Sequence, residues 1–210
     1  MDGTLVDSLM MWNVLWSSFG EKYCNNPDFR PSSEDDKKVR THTLKDAMYL
    51  IHKNYQMGNS GDELLQYANE LIIDFYKNKV ELKQGVKEFL GWLKSQDVKM
   101  CVVSATAPDL IHMALNHCEI TSYFSKIFSC TEIGKGKEFP DAFLIACEYF
   151  NSRPEETWVF EDSCVAIETA NKIGMSTVGI YDQYNFDQER MKQIATKYIA
   201  DGETLQKLIF

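Results

Sequence analysis

The chain has 210 residues, 44% of them hydrophobic and 25% charged, and its 22 Lys and Arg against 31 Asp and Glu give a formal net charge of −9. That is enough polypeptide for one α/β domain of ordinary size with a modest insert, and the balance is that of a globular chain rather than a disordered one. The acidity repels polyanions, which argues against nucleic acid and anionic lipid as partners; a small anionic substrate held in a local cationic pocket stays open.

No apolar run approaches the roughly 20 residues that span a bilayer. The opening Met1-Asp2-Gly3-Thr4 lacks the basic stretch and apolar core of a signal peptide. Cys24, Cys101, Cys118, Cys130, Cys147 and Cys164 form no C-x-x-C pair, and several lie inside apolar segments. They read as reduced thiols of a cytoplasmic protein, not as a disulfide framework or a zinc site.

In chain order, Met1 to Ser8 contains the turn dipeptide Asp2-Gly3. Helix-like patterns follow over Leu9 to Cys24, Leu44 to Tyr55 and Asp62 to Lys79, with a Pro-, Asn-, Ser- and Asp-rich loop over Asn25 to Asp36. No strand signal interrupts this block. From about residue 80 strands and helices alternate. Val86 to Gln96 is predicted as a helix, and Val98 to Val103 as a buried strand that stops at Ser104. Pro108 to Cys118 is a helix with Pro108 in its first turn, Ile127 to Ser129 a short strand, and Pro140 to Phe150 a helix. Thr157 to Phe160 is a strand, Ser163 to Ile173 a helix stopped by Gly174, and Ser176 to Tyr181 a further strand.

This order predicts an α/β fold: a Rossmann-like parallel sheet core with a small all-helical cap inserted after the first segment. The expected core is residues 1–8 and 81–210, and the expected cap residues 9–80. Ligands of open α/β sheets bind beyond the carboxyl ends of the strands. Ser104, the acidic pair Glu161 and Asp162, and the loop Gly134-Lys135-Gly136-Lys137 therefore converge on one rim.

Met1-Asp2-Gly3-Thr4-Leu5-Val6-Asp7-Ser8 resembles the first motif of the haloacid dehalogenase superfamily, in which an apolar strand ends in D-x-D-G-T-L-x-D-S. Three further motifs stand in order. Val102-Val103-Ser104 is similar to the second, Gly136-Lys137-Glu138-Phe139-Pro140-Asp141 to the third, and Val159-Phe160-Glu161-Asp162-Ser163 to the fourth. Glu138 departs from the proline usual in the third. The resemblance covers the whole chain and is nearest to the helical-cap subgroup of β-phosphoglucomutase-like and phosphoglycolate phosphatase-like proteins.

The resemblance implies a Mg²⁺-dependent phosphatase of a small phosphorylated metabolite, working through a phospho-aspartate. Phosphoryl transfer gathers negative charge on equatorial oxygens, so the site must present cations and donors. Asp2 would be the general acid–base, with Thr4 holding the loop or orienting Asp2 and Asp7 fixing the loop. Ser104, with the backbone N–H groups of Gly3 and Ala105, would bind phosphate oxygens, and Lys137 would neutralise charge. Glu161 and Asp162, with Asp2, would hold Mg²⁺.

Each residue alone has a plainer reading. Asp2 is a turn residue, Ser104 a strand-end serine, Lys137 a solvated lysine with Lys135 as its rival, and Asp162 or Ser163 a helix cap. In the family the nucleophile is the first aspartate of D-x-D, so it would precede Met1, and so would the strand leading to it. Without that strand a slot opens in the core, with unpaired backbone groups on both neighbouring strands.

Two other functions stay in view. β-Phosphoglucomutase-like enzymes carry a histidine and an arginine where Trp12 and Leu44 fall here, which favours hydrolysis over mutase chemistry. A non-catalytic protein that binds phosphate and Mg²⁺ would lack the nucleophile. Arg40, His42, Lys45, Trp12 and Trp16 could face substrate from the cap, although the tryptophans read equally as core. A monomer or weak homodimer is expected, with no nucleic-acid or membrane partner.

Overall fold

The computed structural model describes residues 1–41 and 43–209, and leaves out the side chains of residues 37, 40 and 41. The expectations for Arg40 and His42 thus lie outside the described residues. The chain divides into two compact units, one of Met1–Leu9 with Val80–Phe210, the other of Met10–Lys79.

The second unit is helical: α1 (Met11–Cys24), α2 (Ser33–Thr41), α3 (Leu44–Tyr55) and α4 (Gly61–Asn78). Its core is aromatic. Trp16 stacks on Trp12 with ring centroids 5.8 Å apart and meets Phe19 edge-on, and Phe19 stacks on Tyr67 at 5.5 Å. Trp16 and Phe19 are buried, and the Trp16 indole N–H is satisfied by Asp36 at 3.0 Å. Gly20 allows the tight exit from α1, because a Cβ there would sit 2.1 Å from the Asn26 carbonyl oxygen. Thr43 and Ser60 cap α3 and α4 by accepting the N–H groups of Asp46 and Glu63.

Helix α2 corrects the expectation of a loop through Asp36. Ser32 caps it through the Asp35 N–H, and Glu34, Asp35 and Asp36 fill its first turn. Residues that compose a loop also compose a helix start, where acids meet the positive end of the helix dipole.

The first unit contains α5 (Val86–Ser95), β1 (Cys101–Ser104), α6 (Pro108–His117), β2 (Lys126–Ser129), α7 (Cys130–Ile133), α8 (Asp141–Phe150), β3 (Trp158–Glu161), α9 (Cys164–Lys172), β4 (Ser176–Ile180), α10 (Gln188–Ile194) and β5 (Lys197–Ile199). β1–β2, β3–β4 and β4–β5 all pair parallel, as the βα alternation requires, and an isolated antiparallel bridge joins Val6 to Leu82. The strands form two sheets, β1-β2 and β3-β4-β5, rather than one. β1 starts at Cys101 and not at Val98, since its register with β2 begins at Cys101 opposite Lys126. A core cluster of Phe143, Cys147, Ala166, Ala170 and Met175 packs on both Val103 of β1 and Val159 of β3. Both strands thus share one apolar floor built from α8 and α9. No helix among the described residues is long and apolar enough to cross a membrane.

Candidate active site

Strands β1 and β3 end at Ser104 and Glu161, and the chain start folds against these ends. The Met1 carbonyl accepts the N–H groups of Thr4, Leu5 and Val6 at 3.2, 2.7 and 3.3 Å, closing a tight turn. Gly3 adopts φ +62°, and a Cβ there would lie 2.2 Å from Asp162 Oδ2. Only glycine permits both the left-handed backbone and this approach.

Asp2 is held by three hydroxyls. Ser8 Oγ donates to its Oδ1 at 2.7 Å, while Thr106 Oγ1 and Ser104 Oγ reach Oδ2 at 2.8 and 3.4 Å. Ser104 Oγ also accepts the Thr106 N–H at 3.1 Å, so the loop after β1 is wound around its own serine. This arrangement fixes the Asp2 carboxylate in one place while leaving hydroxyls beside it.

Glu161 and Asp162 are both buried. Lys137 forms an ion pair with Glu161, and its amine is itself largely buried. Burial pulls the Lys137 ammonium down, but the charge and hydrogen bond of Glu161 outweigh this and hold its pKa above the usual lysine range. Lys135, the rival lysine, is turned away and pairs with Asp141 at 2.6 Å.

Asp162 accepts Thr4 Oγ1 at 2.9 Å on Oδ1 and the Asn185 amide on Oδ2. Burial and the neighbouring Glu161 charge raise its pKa to about 6, against the lowering pull of Lys137, the Met1 amino terminus and Thr4. Neither Asp162 nor Ser163 caps α9 through its side chain. The plain helix-cap reading of the acidic pair does not hold.

Asp2 with Ser104, Thr4 with Asp162, and Lys137 with Glu161 thus form three bonded groups at the ends of β1 and β3, and Gly3 packs against Asp162. Thr4 is given to Asp162, not to Asp2. Ala105 is exposed at the same loop, where its carbonyl accepts Thr131 Oγ1 at 3.4 Å. Asp7 is tied through its N–H to the Glu81 carbonyl at 2.9 Å.

Sequence reading missed two participants, Thr106 and Asn185, and the ion pair of Lys83 with Asp182. Thr106 carried a signal, as the second hydroxyl of Ser104-Ala105-Thr106 at a strand end. Asn185, and the ion pair of Lys83 with buried Asp182 at 2.8 Å, carried none. Of the cap candidates, Trp16 is core, Trp12 stacks on it, and Lys45 is exposed with its amine 5.8 Å from the Tyr49 ring centre.

Whether Mg²⁺ fits rests on the donors. Glu161 and Asp162 offer hard carboxylate oxygens side by side at a buried strand end. Among the described residues no three His, Cys, Asp or Glu gather into a ready-made metal cluster. Mg²⁺ does not demand one, since it commonly takes one or two carboxylates and fills its shell with waters and substrate phosphate.

The chain matches the family model of Haloacid dehalogenase-like hydrolase over residues 1–180. It is 21% identical over 210 residues to a phosphorylated carbohydrates phosphatase of Thermotoga maritima, covering 99% of this chain and 95% of the relative. It is 26% identical over 192 residues to a phosphoglycolate phosphatase of Nitrosococcus oceani, covering 88% and 83%. A crystal structure of a Thermotoga maritima protein shares its fold at TM-score 0.83 and 20% identity, over 99% of this chain and 95% of that one.

Proposed function

The chain belongs to the haloacid dehalogenase-like hydrolase family, and on that premise we propose that it is a Mg²⁺-dependent phosphatase of a small phosphorylated metabolite. The observation that carries this reading is the gathering of polar groups at the ends of β1 and β3. Asp2 with the hydroxyls of Ser104 and Thr106, Asp162 with the hydroxyl of Thr4, and the ion pair of Lys137 with Glu161 all stand there. Burying that many charges costs several kcal/mol, which packing alone does not require. Relatives named as phosphatases along nearly the whole chain support the same class.

In this reading Ser104 and the backbone N–H groups of Gly3 and Ala105 hold the phosphate oxygens. Lys137 offsets the charge that develops on them. The nucleophilic carboxylate corresponds to the motif position before Met1. As it bonds to phosphorus, the bond to the leaving oxygen breaks and Asp2 gives that oxygen its proton. Asp2 then takes a proton from the water that attacks the phospho-aspartate, returning phosphate and the free carboxylate. Thr4 and Asn185 keep Asp162 in place, and Lys137 does the same for Glu161. Mg²⁺, held by Glu161 and Asp162 with Asp2 beside them, would supply charge neutralisation and phosphate orientation.

The test compares p-nitrophenyl phosphate hydrolysis by this chain and by a version extended before Met1 with an apolar strand ending in aspartate. Turnover by the extended form, lost in EDTA and lost when its added aspartate is replaced by asparagine, is expected. If the extended form is folded and yields no phosphate with Mg²⁺, the phosphatase reading falls.

A further inference from the structure

Asp162 is held on both carboxylate oxygens, by residues that lie far apart in the chain. Thr4 reaches Oδ1 from the turn that opens the chain. Asn185 reaches Oδ2 from the loop after β4, and its amide also donates to the Asp162 backbone carbonyl at 3.0 Å. A side-chain amide has two hydrogens, and both are given to one residue. Asn185 thus fixes the main chain and the side chain of Asp162 together.

The loop that carries Asn185 is wound on Asp182. Asp182 Oδ1 accepts the Tyr184 N–H at 2.9 Å, closing a turn on its own aspartate. The Asp182 backbone carbonyl accepts the Asn185 N–H at 3.0 Å and the Gln188 amide at 3.1 Å. The carboxylate is buried, and its counter-ion is Lys83, 2.8 Å away and largely buried itself. Lys83 Nζ also donates to the Tyr181 carbonyl at 3.0 Å. The main chain of Lys83 is tied as well: its N–H donates to the Leu5 carbonyl at 2.9 Å, one residue beyond Thr4.

Lys83 therefore joins the two segments that hold Asp162, one through its main chain and the other through its side chain. All of these groups belong to the α/β unit. A buried ion pair adds little net stability, because desolvation offsets its attraction. What this pair does supply is position. We infer that Lys83 and Asp182 are positioning residues for the metal-binding carboxylate of Asp162, acting through Asn185. The ammonium holds the Asp182 carboxylate, Asp182 holds the loop, and Asn185 holds Asp162. The relay from Lys83 to Asn185 stands on the hydrogen bonds alone. Only its consequence for the metal rests on the Mg²⁺ reading of Glu161 and Asp162.

The first readout needs no metal. In the metal-free 210-residue chain, Lys83→Met keeps an unbranched side chain and removes the charge. The Tyr184 and Asn185 backbone amides, both bonded to Asp182, are expected to lose at least about tenfold of their protection from hydrogen exchange. Lys83→Arg, which keeps a cation, should retain most of it. The second readout is Mn²⁺ binding, followed by the EPR signal of the free ion. Asn185→Ala should weaken it about 10–100-fold and Lys83→Met about tenfold, the usual range for groups that orient a metal ligand. Because Lys83 acts through Asn185, Lys83→Met should cost less than about twofold more once Asn185 is alanine. An ion pair that only stabilised the fold would lower melting temperatures and leave these affinities alone. If Lys83→Met does not fold, Lys83→Met combined with Asp182→Asn strands no charge and takes its place, with the same expected direction.

Unchanged protection of Tyr184 and Asn185 in a folded Lys83 variant overturns the proposal. So does parental Mn²⁺ affinity in a variant whose loop has lost protection. Full additivity of the Lys83 and Asn185 losses does the same, since the two residues would then act separately. None of these results touches the phosphatase reading, which turnover by the extended form decides. If neither the 210-residue chain nor the extended form binds Mn²⁺ at millimolar concentration, the Mg²⁺ reading fails and the proposal fails with it.

Discussion

The two units bury different things. In the helical unit Trp16, Phe19, Met48, Ile51 and Leu64 are buried, and the polar side chains of Thr43 and Ser60 cap helix starts. Every buried polar or charged side chain among the described residues lies in the α/β unit: Thr4, Ser8, Ser104, Ser129, Glu161, Asp162, Thr169, Thr177 and Asp182. Apolar burial stabilises about in proportion to area, whereas a buried charge is at best offset by its partners. The helical unit is built as most cores are. The α/β unit carries an electrostatic cost at its strand ends, and a fold that needed only stability would not keep it.

The comparison breaks first at Phe19. Its ring is fully buried and packs on Trp16 and Tyr67. Phe19→Ala is expected to cost about 3–5 kcal/mol in urea unfolding. A loss under about 1 kcal/mol would mean that the aromatic stack is not what holds the helical unit. The matching cut in the other unit is Lys137→Ala, which strands the Glu161 carboxylate in a buried site. Because Lys137 keeps some access to water, the expected cost is about 2–4 kcal/mol, at or below the usual figure for breaking a buried pair. Adding Glu161→Gln should recover part of it, because the stranded charge is then gone. A double variant as unstable as the sum of the two single variants would deny the pairing.

A third test uses pH. Asp162 has a folded pKa of about 6 against an ordinary value of 3.8. The folded state therefore holds this proton more tightly than the unfolded state. Below about pH 4 both states are protonated and nothing is lost. As pH rises from about 4 to about 6 the unfolded chain releases the proton first and stability falls, and above about 6 the penalty is constant. In EDTA, Asp162→Asn should flatten that fall and leave the chain about 3 kcal/mol more stable than the parent at neutral pH. An unchanged pH profile would show that Asp162 is already ionised in the fold.

The same contrast decides what could be read in the sequence. The alternation of strand and helix is a repeating pattern and predicted the parallel α/β core. Asp2, Ser104, Lys137, Glu161 and Asp162 were legible because each sits in a short motif at a segment end. Thr4's bond to Asp162 spans 158 residues, and Thr106's bond to Asp2 spans 104. No local pattern records such pairings, so the sequence named a loop-holding or Asp2-orienting role for Thr4 without its Asp162 partner. Asn185 was missed because a polar loop residue carries no mark of a buried carboxylate. Helix α2 was lost to composition, since Ser and Asp announce loops and helix starts alike. β5 has only three residues, too few to show any period.

The smallest expected effect sharpens the comparison most directly. Ser60 caps α4 by accepting the Glu63 N–H at 3.1 Å, in a contact three residues long. Ser60→Ala should cost about 1 kcal/mol, and Ser60→Asp, which also caps, should cost much less. That loss involves no titrating group, so it should be the same at pH 4.5 and pH 7. The effect of Asp162→Asn should change across that interval, because buried charge is what the α/β unit holds and the helical unit does not. If the cap variant also varied with pH by more than about 0.5 kcal/mol, beyond what surface substitutions usually cause, polar groups of the helical unit would be coupled to titration. The contrast between a unit held by packing and one shaped by charge would then fail.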